Sequence, residues 1–231
     1  MKKFVYGCGG LIVLVVIIAV IVTAGSSSNN KPSGSPTSSN PSSQSSATTT
    51  ATPTPKPKTR VVTGKLVTLG AGTFTGGKDV ADGLYNVTTG PGQSGNFIVS
   101  GTDSYDEILG NSAAGGVPTI RVTISTGDSI EIDSLTSVTF TPVNTPFVTT
   151  HSTVNLYAGT WTVGQDLGPG RYVATPGSGQ SGNFIIEAEG VDEILGGSSA
   201  DGGVPSVTFN VSDGDVIDIS SLSQVTLTPT N

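Results

Sequence analysis

Two carboxylate pairs, Asp106-Glu107 and Asp192-Glu193, stand at matched places in the chain, and each runs into Ile-Leu-Gly. Paired carboxylates are the residue types of general acid-base and glycoside-cleaving chemistry, where one group holds a proton while the other is ionised. Neighbours on a strand point to opposite faces, which suits that chemistry poorly, so the pairs are read as acids opening a turn or short helix. A second polar pattern, Gly-Gln-Ser-Gly-Asn, sets Gln93 and Asn96, and again Gln180 and Asn183, in Gly-rich loops. Their amides offer donors and acceptors to a ligand, or the pattern is simply a turn that both places share. Gln93, Asn96, Asp106, Glu107, Gln180, Asn183, Asp192 and Glu193 form the candidate ligand-binding set, and no catalytic residue is assigned.

Other chemistries find less material. His151 is the only histidine and lies between the two matched regions, so a Ser-His-Asp site would rest on one linker residue. Asp103, Asp106 and Glu107, and Glu187, Glu189, Asp192 and Glu193 with Asp201 beyond, supply hard oxygen ligands that fit calcium, although their spacing matches no EF-hand. No cofactor is assigned, and calcium is the best metal candidate. An intramolecular isopeptide bond needs a buried lysine, and 148–231 has none, leaving only Lys65 and Lys78; a Thr-Gln ester would use Gln93 or Gln180. The single cysteine, Cys8, excludes a disulfide framework and a zinc-thiolate site from everything after it.

The elements that position these residues come in duplicate. Gly72-Thr-Phe74-Thr returns as Gly159-Thr-Trp161-Thr, Gln93 to Ile98 as Gln180 to Ile185, and Gly115-Gly-Val-Pro118 as Gly202-Gly-Val-Pro205. The offset is 87 almost throughout, with about half the aligned positions identical, as a tandem duplication requires. Gly, Ser, Thr and Val dominate, and only 12% of residues are charged, which favours short strands and many turns. Ile120, Val122 and Ile124 alternate with polar residues, Thr126-Gly127-Asp128 follows as a turn, and Ile130 and Ile132 resume the apolar face. Val207, Phe209, Val211, then Asp213-Gly214-Asp215, then Ile217 and Ile219 repeat that pattern, so an antiparallel hairpin with one buried face is expected in each copy. Further strands are expected around Tyr85 and Tyr172, at Asn96 to Val99 and Asn183 to Ile186, and from Val138 and Val225. The matched aromatics Phe74 and Trp161, Tyr85 and Tyr172, and Phe97 and Phe184 are read as core rather than as exposed sugar-binding faces.

The second copy opens Gly159-Thr-Trp161-Thr-Val163-Gly164-Gln-Asp166-Leu167-Gly-Pro-Gly170-Arg-Tyr172. This resembles a G-x-W-x-V-G-x-D-[IL]-x-x-G-x-Y tandem repeat of membrane-anchored or secreted surface proteins of Gram-positive bacteria. In the first copy Phe74 replaces the Trp, and Val80-Ala81-Asp82 replaces Leu-Gly-Pro. The resemblance implies an envelope location and a β-rich module, and it implies no catalytic residues.

Phe4 to Ala24 is apolar or small throughout and, at about 1.5 Å per helical residue, long enough to span a hydrocarbon core. Lys2 and Lys3 precede it, which places the N-terminus in the cytoplasm and the remainder outside. A signal anchor contacting membrane lipid through residues 4–24 is expected, with cleavage near Ala24 and secretion as the alternative. Residues 25–60 are almost wholly Ser, Thr, Pro, Asn, Gly, Ala and Lys and cannot bury apolar surface, so they read as a disordered stalk. Residues 1–60 carry six Lys and Arg and no acid, 61–147 three against eight acids, and 148–231 one against nine. Acidic repeats repel phosphate backbones, which excludes nucleic acid as a partner.

The sequence therefore predicts a membrane segment (1–24), a stalk (25–60) and two all-β sandwich or jelly-roll-like repeats (61–147 and 148–231). The expected function is non-enzymatic: surface display for adhesion or for binding an envelope polysaccharide, a host glycan or a protein. A purely structural spacer and an extracytoplasmic hydrolase are the alternatives.

Overall fold

A computed structural model describes residues 58–111, 115–197 and 202–231 of the chain. The expected membrane segment, nearly all of the stalk, and Asp201 of the second acidic group lie outside the described residues. Among the described residues no helix is long and apolar enough to cross a membrane.

The fold is all-β. The first copy contributes β1 (Val67–Leu69), β2 (Gly72–Thr75), β3 (Gly83–Thr89), β4 (Ser94–Ser100), β5 (Tyr105–Gly110), β6 (Thr119–Ile124), β7 (Ser129–Asp133) and β8 (Val138–Pro142). The second contributes β9 (Val154–Leu156), β10 (Gly159–Thr162), β11 (Gly170–Pro176), β12 (Ser181–Ile186), β13 (Val191–Gly196), β14 (Val207–Val211), β15 (Val216–Ser220) and β16 (Val225–Thr230). A 3-10 turn, Glu187–Glu189, precedes β13 and ends at Gly190, whose φ of 67° is left-handed.

In each copy the strands make two four-stranded layers of the same order. The first copy has β1-β8-β3-β6 against β2-β7-β4-β5, and the second has β9-β16-β11-β14 against β10-β15-β12-β13. Alternate residues of both layers point inward, as the two-residue period of a strand demands. One core therefore fills each copy: Tyr85, Val87, Ile120, Val122 and Phe140 from one layer meet Phe97, Val99, Ile130 and Ile132 from the other. Three aromatics anchor it, with Tyr85 edge-on to Phe140 at 5.9 Å and Phe97 5.8 Å from Phe140. The second core keeps Tyr172 and Phe184 but takes its third ring from Phe209 on β14, while Leu227 fills the place of Phe140 on β16. Val122 stands where Phe209 stands in the second copy, so a ring has moved between the two strands that flank the tyrosine strand. The core volume is thereby conserved, as close packing requires.

Two sequence expectations change. The hairpins expected at β6–β7 and β14–β15 do not form: β6 pairs with β3, whereas β7 pairs with β2 and β4 in the other layer. β14 likewise pairs with β11, and β15 with β10 and β12. The turn is a corner between layers. Asp128, buried, accepts the Ser125 N–H (2.7 Å) and the Thr102 N–H (2.9 Å), and Gly127 N donates to Gly76 O (3.0 Å), which ties the corner across the sandwich. Alternation revealed the inward face correctly and is silent on whether the next strand lies beside or across. The carboxylate pairs, expected to open a turn or short helix, instead lie within β5 and β13.

Candidate functional site

The two copies share a sheet. β6 of the first runs parallel to β10 of the second with Gly159 opposite Arg121, which joins β1-β8-β3-β6 to β10-β15-β12-β13 as eight continuous strands. Arg121 N donates to Ala158 O (2.9 Å), and Ala158 is buried in the first copy's core. Gly159, at φ 129°, sits so close that a Cβ there would lie 2.1 Å from Arg121 O. Only glycine admits that approach.

Beside this bridge lies a buried ionic group. The Arg121 guanidinium, only 3% exposed as a residue, donates to Asp166 Oδ1 and lies 4.4 Å over the Trp161 ring. Arg60, from the segment before β1, reaches the same oxygen at 2.6 Å and also donates to Gln165 Oε1 (3.2 Å) and Gln165 O (3.3 Å). Its guanidinium packs 5.0 Å from the Phe147 ring centre. Trp161 Nε1 donates to Tyr157 O (2.8 Å), the two rings meet edge-on at 4.7 Å, and Tyr157 Oη donates to Asn86 Oδ1 (2.8 Å) across the copies. Burial lowers the Arg121 pKa while the Asp166 charge raises it. Asp166 owes part of its position to a role that both copies keep: its Oδ2 accepts the Thr162 N–H (3.0 Å), as Asp79 Oδ2 accepts the Thr75 N–H (2.8 Å). The Asp of the repeat pattern is thus a loop brace, and only in the second copy do two arginines claim it as well.

A cleft of about 590 Å³ opens at another part of the seam, lined by Asp103, Ser104, Tyr105 and Asp106 of the first copy and by Thr160, Glu187 and Asp218 of the second. Tyr105 Oη donates to Ile219 O (2.6 Å), and burial, then the charges of Glu107 and Asp218, hold the phenol well above its usual range. Glu107, 5% exposed, accepts the Ser221 N–H at 2.6 Å. Burial raises its pKa and Asp106 adds to that, against the opposing pull of the Ser221 hydrogen bond. Asp218 is raised chiefly by burial, then by Asp103 and Glu187, while Thr160 Oγ1 donating at 2.8 Å works the other way. The arrangement is a polar, acid-rich groove between two rigid layers. Its walls carry hydroxyls and carboxylates.

The expected site residues are distributed across this frame. Asp106 is exposed and lines the cleft; its neighbour Glu107 turns inward and is taken by Ser221, the alternation expected of strand neighbours. Asp192 and Glu193 occupy the matching ladder in the second copy, opposite Ile185 and Phe184. Gln93 Oε1 accepts the Thr136 N–H (2.7 Å) and Gln180 Oε1 the Gln224 N–H (3.0 Å), so both brace a neighbouring loop. Asn96 and Asn183 are exposed on β4 and β12, and Asn183 Nδ2 donates to Ser220 Oγ (3.0 Å). Trp161, Tyr85, Tyr172, Phe97 and Phe184 are buried, and Phe74 is half-buried against the first core. His151 Nε2 lies 2.9 Å from Arg171 O, and its ring meets Tyr172 edge-on at 4.6 Å. Lys65 and Lys78 are exposed, whereas an isopeptide lysine is buried. Among the described residues no three Asp, Glu, His or Cys side chains converge as a metal site.

Arg60, Tyr105, Arg121, Tyr157 and Asp166 were not singled out as site residues. The copies differ at four of these places: Arg121 aligns with Thr208, Tyr157 with Gly70, Tyr105 with Val191 and Arg60 with Phe147. Trp161, aligned with Phe74, belongs to the same group. Departures from the repeat mark the joint. No family model, curated protein or solved structure matches this chain.

Proposed function

We propose that this chain is a non-enzymatic protein displayed outside the cell, in which two jelly-roll repeats act as one rigid head that binds its ligand in the cleft at their seam. The observation that carries this reading is that the cleft takes its walls from both copies, with Asp103 and Asp106 on one side and Thr160, Glu187 and Asp218 on the other. Such a groove exists only while the copies are held in one relative position, and the continuous sheet and the Arg121–Asp166 pair hold it. Convergent hydroxyls and carboxylates on rigid strands fit a hydroxyl-rich ligand such as an envelope polysaccharide or a host glycan, or a protein loop. The apolar Phe4 to Ala24 run, the stalk after it and the resemblance to Gram-positive surface repeats support an anchored, extracellular location.

The test is retention of the full chain, in neutral detergent, on immobilised envelope polysaccharides, host glycans and matrix proteins. Ser104→Trp is the matched variant, since Ser104 is exposed on the cleft wall and takes no part in the joint. Retention on one of these surfaces that Ser104→Trp abolishes is the expected result. Retention untouched by Ser104→Trp overturns the cleft as the site. No retention on any surface leaves the structural spacer, a reading that the packing of Trp161 and Glu107 against protein favours.

A further inference from the structure

A second cavity, of about 410 Å³, lies beneath the segment that leads into β1, and Arg60 and Gln165 form its polar wall. Leu84, Val143 and Phe147 form an apolar wall, and Val62 stands at its exposed rim. The charge at this place does not balance. Arg60 and Arg121 both end on Asp166 Oδ1, and their side chains are 9% and 4% exposed against 5% for the carboxylate, so two buried cations share one anion. Nor are the Arg60 donors used up: three of its five N–H groups have partners. A buried positive charge without a counter-charge is unfavourable, so an anion placed against Arg60 relieves it.

We propose that this cavity is a binding site for a monocarboxylate with a short apolar tail, its head on the Arg60 guanidinium and its tail along Leu84, Val143 and Phe147. The excess is a single positive charge, which a carboxylate matches and a dianion would overshoot. The volume exceeds that of a bare ion, and the far wall is hydrocarbon, which places an aliphatic chain behind the head group. The site is distinct from the cleft and stands whether or not the cleft binds a ligand.

The probes are sodium acetate, butanoate and hexanoate against sodium chloride at matched ionic strength, with thermal melting of the full chain in neutral detergent as the readout. A saturable rise with butanoate and hexanoate is expected, about 3–6 °C at a tenfold excess over the dissociation constant, with acetate weaker. Val62→Trp plugs the rim while leaving the arginines in place, and it abolishes the rise. No rise beyond chloride, or the same rise in Val62→Trp, overturns the site. Equal rises from acetate and hexanoate overturn the tail assignment.

Discussion

Asp166 carries three separate obligations: it braces its own loop through the Thr162 N–H, and it receives Arg60 and Arg121 on its other oxygen. Removing one partner of a buried ion pair leaves the other charged and desolvated, at about 3–5 kcal/mol. Asp166→Ala strands two guanidiniums and is expected to cost at least that in chemical denaturation. Arg121→Leu leaves Asp166 paired to Arg60 and is expected to cost clearly less; equal losses would show that the pair is not the organising contact. Glu107 gives a test of opposite sign. Its pKa is raised in the folded chain by burial, so folding favours the protonated form. Its contribution is fully present below the unfolded carboxyl value near 4.5 and is lost as pH rises through the higher folded value. Glu107→Gln keeps an acceptor for the Ser221 N–H without the charge. The variant is expected to melt higher than the parent at pH 7, and the difference is expected to vanish near pH 4. A gap that stays constant from pH 4 to pH 7 would exclude a titrating buried carboxyl.

Strands are the scale at which the sequence was most readable, because β-branched alternation at Ile120 to Ile124, Ile130 to Ile132 and their second-copy partners reports an inward face directly. Pairing was not readable in the same way. The Thr126-Gly127-Asp128 turn has hairpin chemistry, yet Asp128 is used to bind the Ser125 and Thr102 amides, and the chain crosses to the other layer. The joint was legible only as a set of differences between the copies. Nothing in Arg121 or Tyr157 alone signals that β6 meets β10, since the partners are 45 and 71 residues away. Gly159 shows how the joint constrains an element. Its matched residue Gly72 also has a positive φ, 151°, but a Cβ there would meet only the Phe74 ring, at 3.3 Å, rather than the Arg121 backbone at 2.1 Å. Gly72→Ala is therefore expected to cost about 1–3 kcal/mol from conformation alone. Gly159→Ala carries that cost and must also open the β6–β10 bridge, so urea unfolding is expected to show a visibly larger loss. Equal losses at the two sites would mean the bridge contributes nothing.

In the whole molecule the joint decides whether two copies make two bodies or one. An independent repeat has its own core, and each copy here has one, with Ala158 the one second-copy residue among the described residues buried in the first copy's. What couples them is the continuous sheet, the Arg60–Asp166–Arg121 group and the Tyr105 and Glu107 hydrogen bonds to Ile219 and Ser221. The sequence has also restricted this chemistry to one place. β14 and β2 are the outer edges equivalent to β6 and β10, yet they carry Thr208 for Arg121 and Phe74 for Trp161, so the edges that would extend the array lack the groups that close the joint. Head-to-tail contacts that do not close otherwise propagate. Calorimetry measures the coupling directly. At ~0.7 kcal/mol per residue, one transition over the ~170 residues of both copies has a van't Hoff enthalpy of ~120 kcal/mol, whereas separate copies would each report ~60 kcal/mol. One transition near the higher value is expected for the parent chain. Installing the other copy's residues, Arg121→Thr with Trp161→Phe, removes the Arg121–Asp166 pair and the indole beneath it while keeping an aromatic ring in the second core, so the double variant is expected to show the lower value or two resolved transitions. Two transitions in the parent chain would mean that the shared sheet does not bind the copies into one folding unit, and the seam cleft would then lack the fixed walls it requires.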